Sequence, residues 1–484
     1  MGLERVERVL IGGEWVRAAE GTYDVVDAAT EDVFGQAPSC SVAQVEAAAR
    51  AAREAFDRGP WPRMSGAERG KCLERAAKRF AEAAPSLLDV TMKETGALRL
   101  VAETQQIGAV APRLQKYAEL ASRSPDTGVS PREQAGKISA GIATREPIGV
   151  VANITPFNFP MTNCAGKIAP ALAVGNAVVV KPAPVNPLGV AELCRIVAAE
   201  LPPGVLNFVN GPGPEIGAVL VASPDVDMIS FTGSTEVGLR IQAEAARRLK
   251  RTLLELGGKS PQIVFADADL DLALKGAVQV WAFHSGQICI AGTRLLVERS
   301  IYDAFTGRLA AAGSRLKVGP PSEPGVVVGP LTSKAHRERV ERYIQRGIDE
   351  GATLACGGKR PAHLPKGWYL EPTLFTNATN DMTIAREEIF GPVITAIPFA
   401  DEEEAVALAN DSDFGLYGYV WSADTARALR VARQLRTGTV QINSGAGMHP
   451  DAPFGGYKLS GIGRDGGLHA LDAYSELKYI GWTA

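Results

Sequence analysis

The sequence predicts an α/β protein in which parallel sheets are wrapped by helices, divided into two or three domains. From residue 147 onward, short apolar runs alternate with helical segments at about 25–30 residues per unit, the pattern of a parallel sheet. The chain has 484 residues, which is more than one hydrophobic core usually serves. Both observations favour several α/β units over a single large core.

Composition excludes several kinds of partner. Hydrophobic residues make up 46% and charged residues 22%, an ordinary globular balance, and the net charge of −3 argues against a nucleic-acid surface. No apolar run approaches the ~20 residues of a membrane span. The N-terminal stretch MGLERVERVLIGGEWV carries charges where a signal peptide needs an apolar core. We expect a cytoplasmic protein that acts on a small molecule and binds neither nucleic acid nor membranes.

The cysteines are scattered and must be explained singly. No pair has CxxC spacing, and none has a histidine at the spacing of a metal site, so neither a disulfide framework nor a bound metal is expected. Most are interpreted as small core residues. They are Cys40, Cys72, Cys164, Cys194, Cys289 and Cys356.

The elements follow in order. Residues 41–122 predict an amphipathic helical layer, because apolar residues recur at helical spacing between charged faces. The strands of the first alternating region are IGVVANI, NAVVVK, GVLNFV, VDMISFTG and RTLLEL. A second region, from about 257 to 450, has strands in RLLVE, PVITAIPF, YGYVWS and GTVQINS. Because ligands of parallel sheets lie at the carboxyl ends of the strands, chemistry is expected in the loops that follow them.

Two alternating strands stand apart from both regions, KISAGIATRE at 137–146 and AYSELKYIGW at 473–482. Isolated strands of this kind often pair across a subunit boundary, which favours a homo-oligomer. A local flap is the alternative.

Four loops contain candidate functional residues, each with a structural alternative. Asn158, held between aromatic residues and prolines, is a side-chain donor for an oxyanion or simply a turn residue. Lys181, at a strand end, reaches a ribose or phosphate or faces solvent. Gly233 and Ser234 open a helix whose N-terminal amides suit a phosphate, although the segment is neither GxGxxG nor a P-loop. Glu255, in an apolar strand, is a general base or a buried ion-pair partner.

Cys289 lies between a Ser-Gly-Gln turn and a small Ala-Gly pair, which leaves room for a bound carbonyl and for backbone amides near the sulfur. Taken alone, it is more typical of an ordinary buried cysteine. The nearby His284 is interpreted as a packing or hydrogen-bonding residue rather than as a partner in a Cys–His dyad. The aspartates at 267, 269 and 271 lack the other ligands of a calcium loop and predict a helix cap.

The segments PFNFP, FTGSTEVG, LELGGKSP, GQICIAGTR, EEIFGPV and PFGGYKLSG, in this order, resemble the aldehyde dehydrogenases that use a nicotinamide cofactor. The resemblance runs from about residue 8 to the C-terminus. It implies a Rossmann-like cofactor domain (1–122 and 147–256), a second α/β domain for catalysis (257–465) and a small β oligomerisation domain made of two arms (123–146 and 466–484). It also implies a homodimer or a homotetramer.

The resemblance implies a mechanism through a covalent intermediate. Cys289 would attack the aldehyde carbon, and the oxyanion of the thiohemiacetal would be held by the Asn158 amide and the Cys289 backbone N–H. Hydride transfer to the nicotinamide would leave a thioester, which a water activated by Glu255 would hydrolyse to a carboxylic acid. Lys167 would help to relay protons.

The cofactor positions that the resemblance implies are Ile154, Thr155, Pro156, Phe157, Lys181, Pro184, Gly211, Gly233, Ser234, Leu256, Glu388 and Phe390. Pro184 stands where many NAD-preferring members have a glutamate that binds the ribose 2′-hydroxyl. NAD is therefore expected as the cofactor, with weakened discrimination and NADP as the alternative.

The substrate tunnel implied by the resemblance is lined by Phe159, Asn163, Gly166, Ile288, Ile290 and Phe454. Small residues on the helix after Asn158, and no arginine at these positions, predict a roomy apolar tunnel. A medium-size apolar or aromatic aldehyde is expected rather than an acidic semialdehyde.

Two rival functions stay open at this point. A CoA-acylating semialdehyde dehydrogenase would pass the thioester to CoA, but such members generally lack the glutamate that Glu255 matches. A catalytically silent structural homologue is disfavoured by Cys289, Glu255 and Asn158 together.

Overall fold

The computed structural model describes residues 3–445, 447 and 449–483. Its N-terminal part combines short antiparallel strands with the predicted helical layer. Capping boxes begin the two longest of these helices, from Ser41 with Gln44 and from Ser65 with Glu68. The elements are β1 (Arg8–Ile11), β2 (Glu14–Arg17), β3 (Thr22–Val26), β4 (Val33–Pro38), α1 (Val42–Asp57), α2 (Gly66–Ala83), α3 (Leu88–Thr95), α4 (Arg99–Val101), a π-helical segment (Ala102–Ile107), α5 (Val110–Ala121), β5 (Asp126–Gln134) and β6 (Lys137–Pro147).

The first alternating region forms the predicted strands and helices. Every residue of its first two strands is buried, which explains their uninterrupted apolar sequence. The elements are β7 (Val150–Ile154), α6 (Pro160–Val174), β8 (Ala177–Lys181), α7 (Leu188–Ala198), β9 (Leu206–Phe208), α8 (Glu215–Ala222), β10 (Met228–Thr232), α9 (Thr235–Ala246) and β11 (Arg251–Glu255).

The parallel strands of this sheet lie in the order β9-β8-β7-β10-β11, with the β1–β2 hairpin antiparallel at the β9 edge. The chain thus moves outward from β7 in one direction and then returns to continue from β7 in the other. This is the doubly wound order of dinucleotide-binding sheets, whose ligands lie where the order reverses. Thr155 and Gly233 follow the two strands at that point.

The second region is also α/β. Its elements are β12 (Pro261–Val264), α10 (Leu270–Ala282), β13 (Arg294–Glu298), α11 (Tyr302–Gly313), α12 (Lys334–Asp349), β14 (Thr353–Cys356), β15 (Thr373–Thr376), α13 (Thr383–Arg386), β16 (Val393–Phe399), α14 (Glu402–Asn410), β17 (Phe414–Gly415), β18 (Tyr417–Trp421), α15 (Thr425–Gln434), β19 (Thr439–Ile442), β20 (Tyr457–Lys458), β21 (Gly461–Ile462), α16 (Gly467–Ala473) and β22 (Ser475–Thr483). As predicted from the aspartate series, Asp269 caps α10 by accepting from the amides of Asp271 and Leu272.

The second sheet has the order β14-β15-β16-β13-β12-β18-β19, parallel except for β14. The strand β21 leaves this region and pairs antiparallel with β11, at the edge of the first sheet. The two sheets are therefore joined twice, once by the chain between β11 and β12 and once by this returning strand.

The two isolated strands predicted from the sequence pair with each other. β22 lies antiparallel to β6 over nine residue pairs, and β5 covers the other side of β6. The expectation that they hydrogen-bond across a subunit boundary is therefore wrong for this pairing, since both partners belong to one chain. Their sheet keeps large apolar side chains at its surface, with exposed fractions of 72% for Leu477, 60% for Tyr479 and 50% for Trp482.

Among the helices that the structure describes, none combines the length and the apolar character that crossing a bilayer requires.

Candidate active site

One cavity of about 2500 Å³ lies between the two sheets. Its first wall is made of loops that follow strands of the first sheet, after β7, β8, β10 and β11. Its second wall is made of segments that precede strands of the second sheet, with Cys289 before β13 and Glu388 before β16. The rule that ligands bind after strands thus locates half of the cavity. Cys289 belongs to the other half, which the rule does not find.

The turn before Cys289 has an unusual backbone. His284, Ser285 and Gly286 all have left-handed conformations, with φ of 52°, 54° and 74°. Non-glycine residues adopt this region only when their surroundings hold them there, at a cost of about 1–3 kcal/mol each. The Ser285 hydroxyl donates to the carbonyl of Gly329 at 2.8 Å, and the amide of Thr332 donates to Gln287 Oε1 at 2.9 Å. A neighbouring loop therefore fixes the turn that presents Cys289.

The glycine pair between β11 and β12 fits closely around the nucleophile. A Cβ atom at Gly258 would lie 2.4 Å from the carbonyl oxygen of Cys289, so only glycine allows this approach. On the other side, the Tyr419 hydroxyl donates to the carbonyl of Ile290 at 2.9 Å. The backbone on both sides of the sulfur is thus held in place.

The thiol of Cys289 is half-buried and lines the cavity. Burial raises its pKa well above the ordinary thiol value, and the carboxylates of Glu388 and Glu255 raise it further. A raised pKa favours the protonated thiol over the thiolate, so a base beside the sulfur would assist its ionisation.

Asn158 lies directly against the Cys289 loop. Its side-chain amide donates to the carbonyl of Gln287 at 2.9 Å, which uses one of its two N–H groups. The π-helical segment supports Asn158, because the side-chain amide of Gln106 donates to the backbone carbonyl of Asn158 at 2.5 Å. Gln106 is held in turn by the Thr162 hydroxyl, which donates to the backbone carbonyl of Gln106 at 2.9 Å. The oxyanion donor suggested by the sequence is a rigid neighbour of the nucleophile.

Glu255 ends β11 and is only 4% exposed. Neither of its carboxylate oxygens has a hydrogen-bond partner among the residues that the structure describes, although the side chain lines the cavity. Burial raises its pKa well above the usual carboxyl range and the charge of Asp465 adds to this, while Lys167 and Arg464 oppose it. A buried carboxylate with a raised pKa binds a proton more strongly than an exposed one, which suits it to the role of a proton acceptor.

Lys167 stands behind this carboxylate rather than in the cavity. Its ammonium group is 3.0 Å from Asp465 Oδ2, and the residue is 2% exposed. The second oxygen of Asp465 is buried and has no partner in the described part of the chain, and Asp465 itself lines the cavity. Sequence reasoning missed Asp465, because it comes after the last matched segment and no local pattern marks it.

The cofactor side of the cavity is formed around the switch in strand order. Lys181, 6% exposed, lines it, and burial lowers the pKa of this lysine to about 8. Ser234 caps α9, whose N-terminus opens onto the same space. Pro184 also lines the cavity, and its carbonyl accepts from the Tyr23 hydroxyl at 2.8 Å.

The other end of the cofactor side is aromatic and acidic. Glu388 accepts from the amide of Gly258 at 2.9 Å, and burial raises its pKa to about 7. The ring of Phe390 meets that of Phe157 edge-on at 5.6 Å. His336, which sequence reasoning missed, packs against Phe157 at 5.4 Å, and its Nε2 lies 2.7 Å from the carbonyl oxygen of Phe390. Burial lowers the pKa of His336 to about 4, so this ring is neutral.

Most of the predicted site residues line this one cavity, but two do not. Lys167 acts only through Asp465. Gly211, predicted as a cofactor residue, packs against α8, where an added Cβ would lie 2.8 Å from Ile216. The predicted residues that line the cavity are Ile154, Thr155, Pro156, Phe157, Asn158, Phe159, Asn163, Gly166, Lys181, Pro184, Gly233, Ser234, Glu255, Leu256, Ile288, Cys289, Ile290, Glu388, Phe390 and Phe454.

The tunnel side contains one residue that sequence reasoning did not place there. Arg113, from α5, lines the cavity beside Gly166, where an added Cβ would lie 2.6 Å from the arginine Nη1. The predicted tunnel positions themselves carry no arginine. The fold brings Arg113 to the cavity from the helical layer, which the sequence pattern shows only as an amphipathic support.

The doubly wound sheet and the cavity at its strand ends are the arrangement of a dinucleotide-binding enzyme. The model of the aldehyde dehydrogenase family matches residues 15–480. The chain is 41% identical over 480 residues to betaine aldehyde dehydrogenase of Bacillus subtilis (strain 168), covering 98% of this chain and 97% of that protein. It is 40% identical over 476 residues to 2-hydroxymuconic semialdehyde dehydrogenase of Pseudomonas sp. (strain CF600), covering 97% of this chain and 98% of that protein.

Solved structures agree. The NAD+ complex of aldehyde dehydrogenase from Bacillus cereus matches with a TM-score of 0.95 at 39% identity, covering 99% of this chain and 97% of that one. The chain belongs to the aldehyde dehydrogenase family. The family resemblance and the α/β fold predicted from the sequence are confirmed.

Proposed function

We propose that this enzyme oxidises an aldehyde to a carboxylic acid with NAD+ through a covalent thioester on Cys289. The observation that carries the proposal is the meeting of Cys289, Asn158 and the unpartnered carboxylate of Glu255 at one cavity. Nucleophile, oxyanion donor and base come from three distant segments, and a buried carboxylate that bonds none of the described residues is free to act on a molecule in the cavity.

The first step is attack of the Cys289 sulfur on the aldehyde carbon, which forms a C–S bond and places negative charge on the carbonyl oxygen. The second N–H of the Asn158 amide and the Cys289 backbone N–H stabilise this oxyanion. The thiol gives up its proton during attack, and Glu255 is the nearby carboxylate with free oxygens to receive it.

The residues present fit a nicotinamide dinucleotide. The doubly wound strand order, the α9 N-terminus and the buried Lys181 provide a phosphate and ribose site at one end. At the other end of the site, on the side of Cys289, the wall is formed by Glu388, Phe390 and Phe157. When bound, the cofactor accepts the hydride that converts the thiohemiacetal to a thioester. NAD+ is proposed because the Bacillus cereus relative was solved with it, and NADP+ is tolerated because Pro184 carries no carboxylate.

The last step is hydrolysis. Glu255 takes a proton from a water molecule, the resulting hydroxide attacks the thioester carbon, and the C–S bond breaks to release the acid and the thiolate. The Lys167–Asp465 pair beside Glu255 provides a route for its proton away from the cavity. Lys167 is therefore a positioning residue, since it does not line the cavity.

The substrate has an apolar body. Relatives of similar identity are named for betaine aldehyde, 2-hydroxymuconic semialdehyde, phenylacetaldehyde and retinal, so their names select no single substrate. In this chain Phe159 stacks on Phe283 at 6.0 Å, and Ile288, Ile290 and Phe454 complete apolar walls. A medium-size aliphatic or aromatic chain fits these walls.

The test is NADH formation from an aldehyde panel in the absence of CoA, with identification of the product. The free acid and NADH are expected in equal amounts, and Cys289→Ala is expected to abolish both. Acyl-CoA formed only when CoA is added would support the acylating alternative. A purified, folded protein that binds NAD+ but oxidises no aldehyde would support the silent homologue.

Three further features belong to the proposal. The domains divide at 1–122 with 147–256, 257–465, and the arms 123–146 and 466–484. Residues 1, 2, 446, 448 and 484 of these ranges lie outside the described part of the chain. The arm sheet, formed by β5, β6 and β22, exposes Leu477, Tyr479 and Trp482, and this apolar surface supports a homodimer or homotetramer. All six cysteines are free, which suits a cytoplasmic enzyme with a reduced nucleophile.

A further inference from the structure

The guanidinium group of Arg113 lies on the wall of the substrate cavity. Arg113 belongs to the first turn of α5, is half-buried and lines the cavity together with Gly166 of α6. A Cβ atom at Gly166 would lie 2.6 Å from Nη1 of Arg113. Because residue 166 has no side chain, the guanidinium can lie against the backbone of α6 and face the space in front of it.

The other cations near this point already have protein partners. Lys116, one turn further along α5, forms an ion pair with Asp451. Lys167 binds Asp465 at 3.0 Å. Within the part of the chain that the structure describes, the side chain of Arg113 makes no hydrogen bond or ion pair. It therefore keeps five N–H donors directed at no acceptor of the protein.

The surroundings of Arg113 favour an anion. Burial lowers its pKa, and the charge of Asp465 opposes this change. Asp465 acts on Arg113 only through its charge and makes no direct bond with it, since Lys167 holds one oxygen and the other has no partner among the described residues. A partly dehydrated guanidinium without a partner gains most from a planar, bidentate acceptor, which a carboxylate provides.

The spacing suits a bifunctional substrate. The rise of an α-helix places Gly166 about 9 Å along α6 from Pro160, which follows the Asn158 turn. The walls between the two ends are apolar, with Phe159, Ile288 and Phe454. A molecule with an aldehyde at Cys289, an apolar chain and a carboxylate at Arg113 would meet a matching group at each position.

We propose that Arg113 binds a carboxylate at the far end of the substrate, and that the substrates are acidic semialdehydes of medium chain length. This inference rests on the proposed function, because Cys289 fixes the aldehyde end. It replaces the sequence-based expectation of a fully apolar aldehyde but keeps the apolar middle. An uncharged aldehyde leaves the guanidinium without a counter-ion and is therefore the poorer substrate.

The first test compares kcat/KM for adipic semialdehyde and for hexanal. The wild type is expected to prefer the semialdehyde by about tenfold or more, and Arg113→Gln is expected to lower this ratio by about 30-fold, mainly through KM. Arg113→Lys should retain part of the preference, because it keeps the charge but loses the planar fork. Lys116→Gln is the matched control, a cation of the same cavity wall that is already paired, and should shift the ratio by less than about threefold.

Two results would overturn the inference. One is a wild type that prefers hexanal. The other is an Arg113→Gln variant that loses activity on both aldehydes equally, which would assign Arg113 to balancing the charge of Asp465. Thermal unfolding of each variant shows whether a loss reflects misfolding, and Arg113→Lys keeps the test valid if Arg113→Gln unfolds. Succinic and glutaric semialdehydes in the same assay measure the chain length that the cavity accepts.

A binding measurement separates this inference from the proposed function. Adipate is titrated calorimetrically into the protein with NAD+ present. Binding to the wild type and to Cys289→Ala, with loss in Arg113→Gln, supports the carboxylate site even if no aldehyde is oxidised. If aldehydes are oxidised but adipate neither binds nor competes with the semialdehyde, the inference fails while the proposed function stands.

Discussion

A Cβ atom at Gly258 would lie 2.4 Å from the carbonyl oxygen of Cys289. The turn between the sheets and the nucleophile's own backbone therefore occupy adjoining positions with no space for a methyl group. We expect Gly258→Ala to move the Cys289 loop and to lower kcat/KM by about 100-fold, since a displacement of ~1 Å has this effect in well-oriented sites.

The control for this prediction is Gly307→Ala. Gly307 lies on the exposed face of α11 with no atom near an added Cβ. There alanine should stabilise the helix by about 0.5–1 kcal/mol and leave kcat/KM unchanged. Steady-state kinetics and thermal unfolding of both variants check the pair, and equal activity in the two would contradict the steric argument.

Glu255→Gln should lower steady-state turnover by about 10²–10⁴-fold, because glutamine cannot accept the proton of water. The pKa of Glu255 is raised, so the wild-type residue is protonated and inactive as a base at low pH, and turnover should rise with pH above the ordinary carboxyl range. The variant should lose this rise. Turnover measured across pH for wild type, Glu255→Gln and the exposed Glu74→Gln tests it, and a pH profile shared by all three would exclude Glu255 as the base.

Lys181→Met should raise KM for the cofactor by about tenfold through the loss of a charged hydrogen bond. Burial lowers the pKa of Lys181 to about 8, so the charged form predominates below that pH and is lost above it. Wild-type KM for NAD+ should therefore rise as pH passes 8, and the variant should lack this change. The exposed Lys71→Met should behave as wild type, and an unaltered KM in Lys181→Met would remove this lysine from the cofactor site.

Pro184→Glu should sharpen cofactor choice. The wild type has no carboxylate at this position to repel a 2′-phosphate, so kcat/KM for NAD+ and NADP+ should differ by less than about tenfold. The glutamate should add about tenfold or more in favour of NAD+. The backbone carbonyl of Pro184, which holds Tyr23, is unaffected by the change. A wild type whose kcat/KM for NADP+ exceeds that for NAD+ by more than tenfold would show that another group recognises the 2′-phosphate.

Trp482→Glu should dissociate the assembly if the arm sheet forms its interface. The Trp482 side chain is half exposed on β22. In an assembly it would be buried against another copy, and a glutamate there would place an unpaired charge in the interface. Sedimentation at micromolar concentration should show a smaller species than the wild type. Leu429→Glu, equally exposed on α15, should not change the mass, and a wild type that already sediments as a monomer would contradict the interface.

The strand and helix pattern was readable because hydrophobic periodicity is a local property, and buried strands such as β7 and β8 carry it without interruption. Lys181 and Gly233 were found by the same reasoning, since both follow strands of a parallel sheet. Cys289 and Glu388 precede strands, so only the family resemblance brought them into the site.

Arg113, Asp465 and His336 could not be found in this way. Each belongs to a segment that the sequence shows only as an ordinary helix or loop, and its role depends on which face the fold turns toward the cavity. Gly211, which the family resemblance implies as a cofactor residue, does not line the cavity, since the space beside it is filled by Ile216.

The pairing of β6 with β22 joins residues 139–147 to residues 475–483. The neighbour of β11, strand β21, also comes from the last part of the described chain, and so does Asp465, the ion-pair partner of Lys167. During synthesis the first sheet therefore remains without one edge strand, and Glu255 without the neighbouring carboxylate, until residues 461–465 have emerged. Contacts so distant in sequence close late and slowly, so the chemistry of this site becomes available only after the final strands have docked.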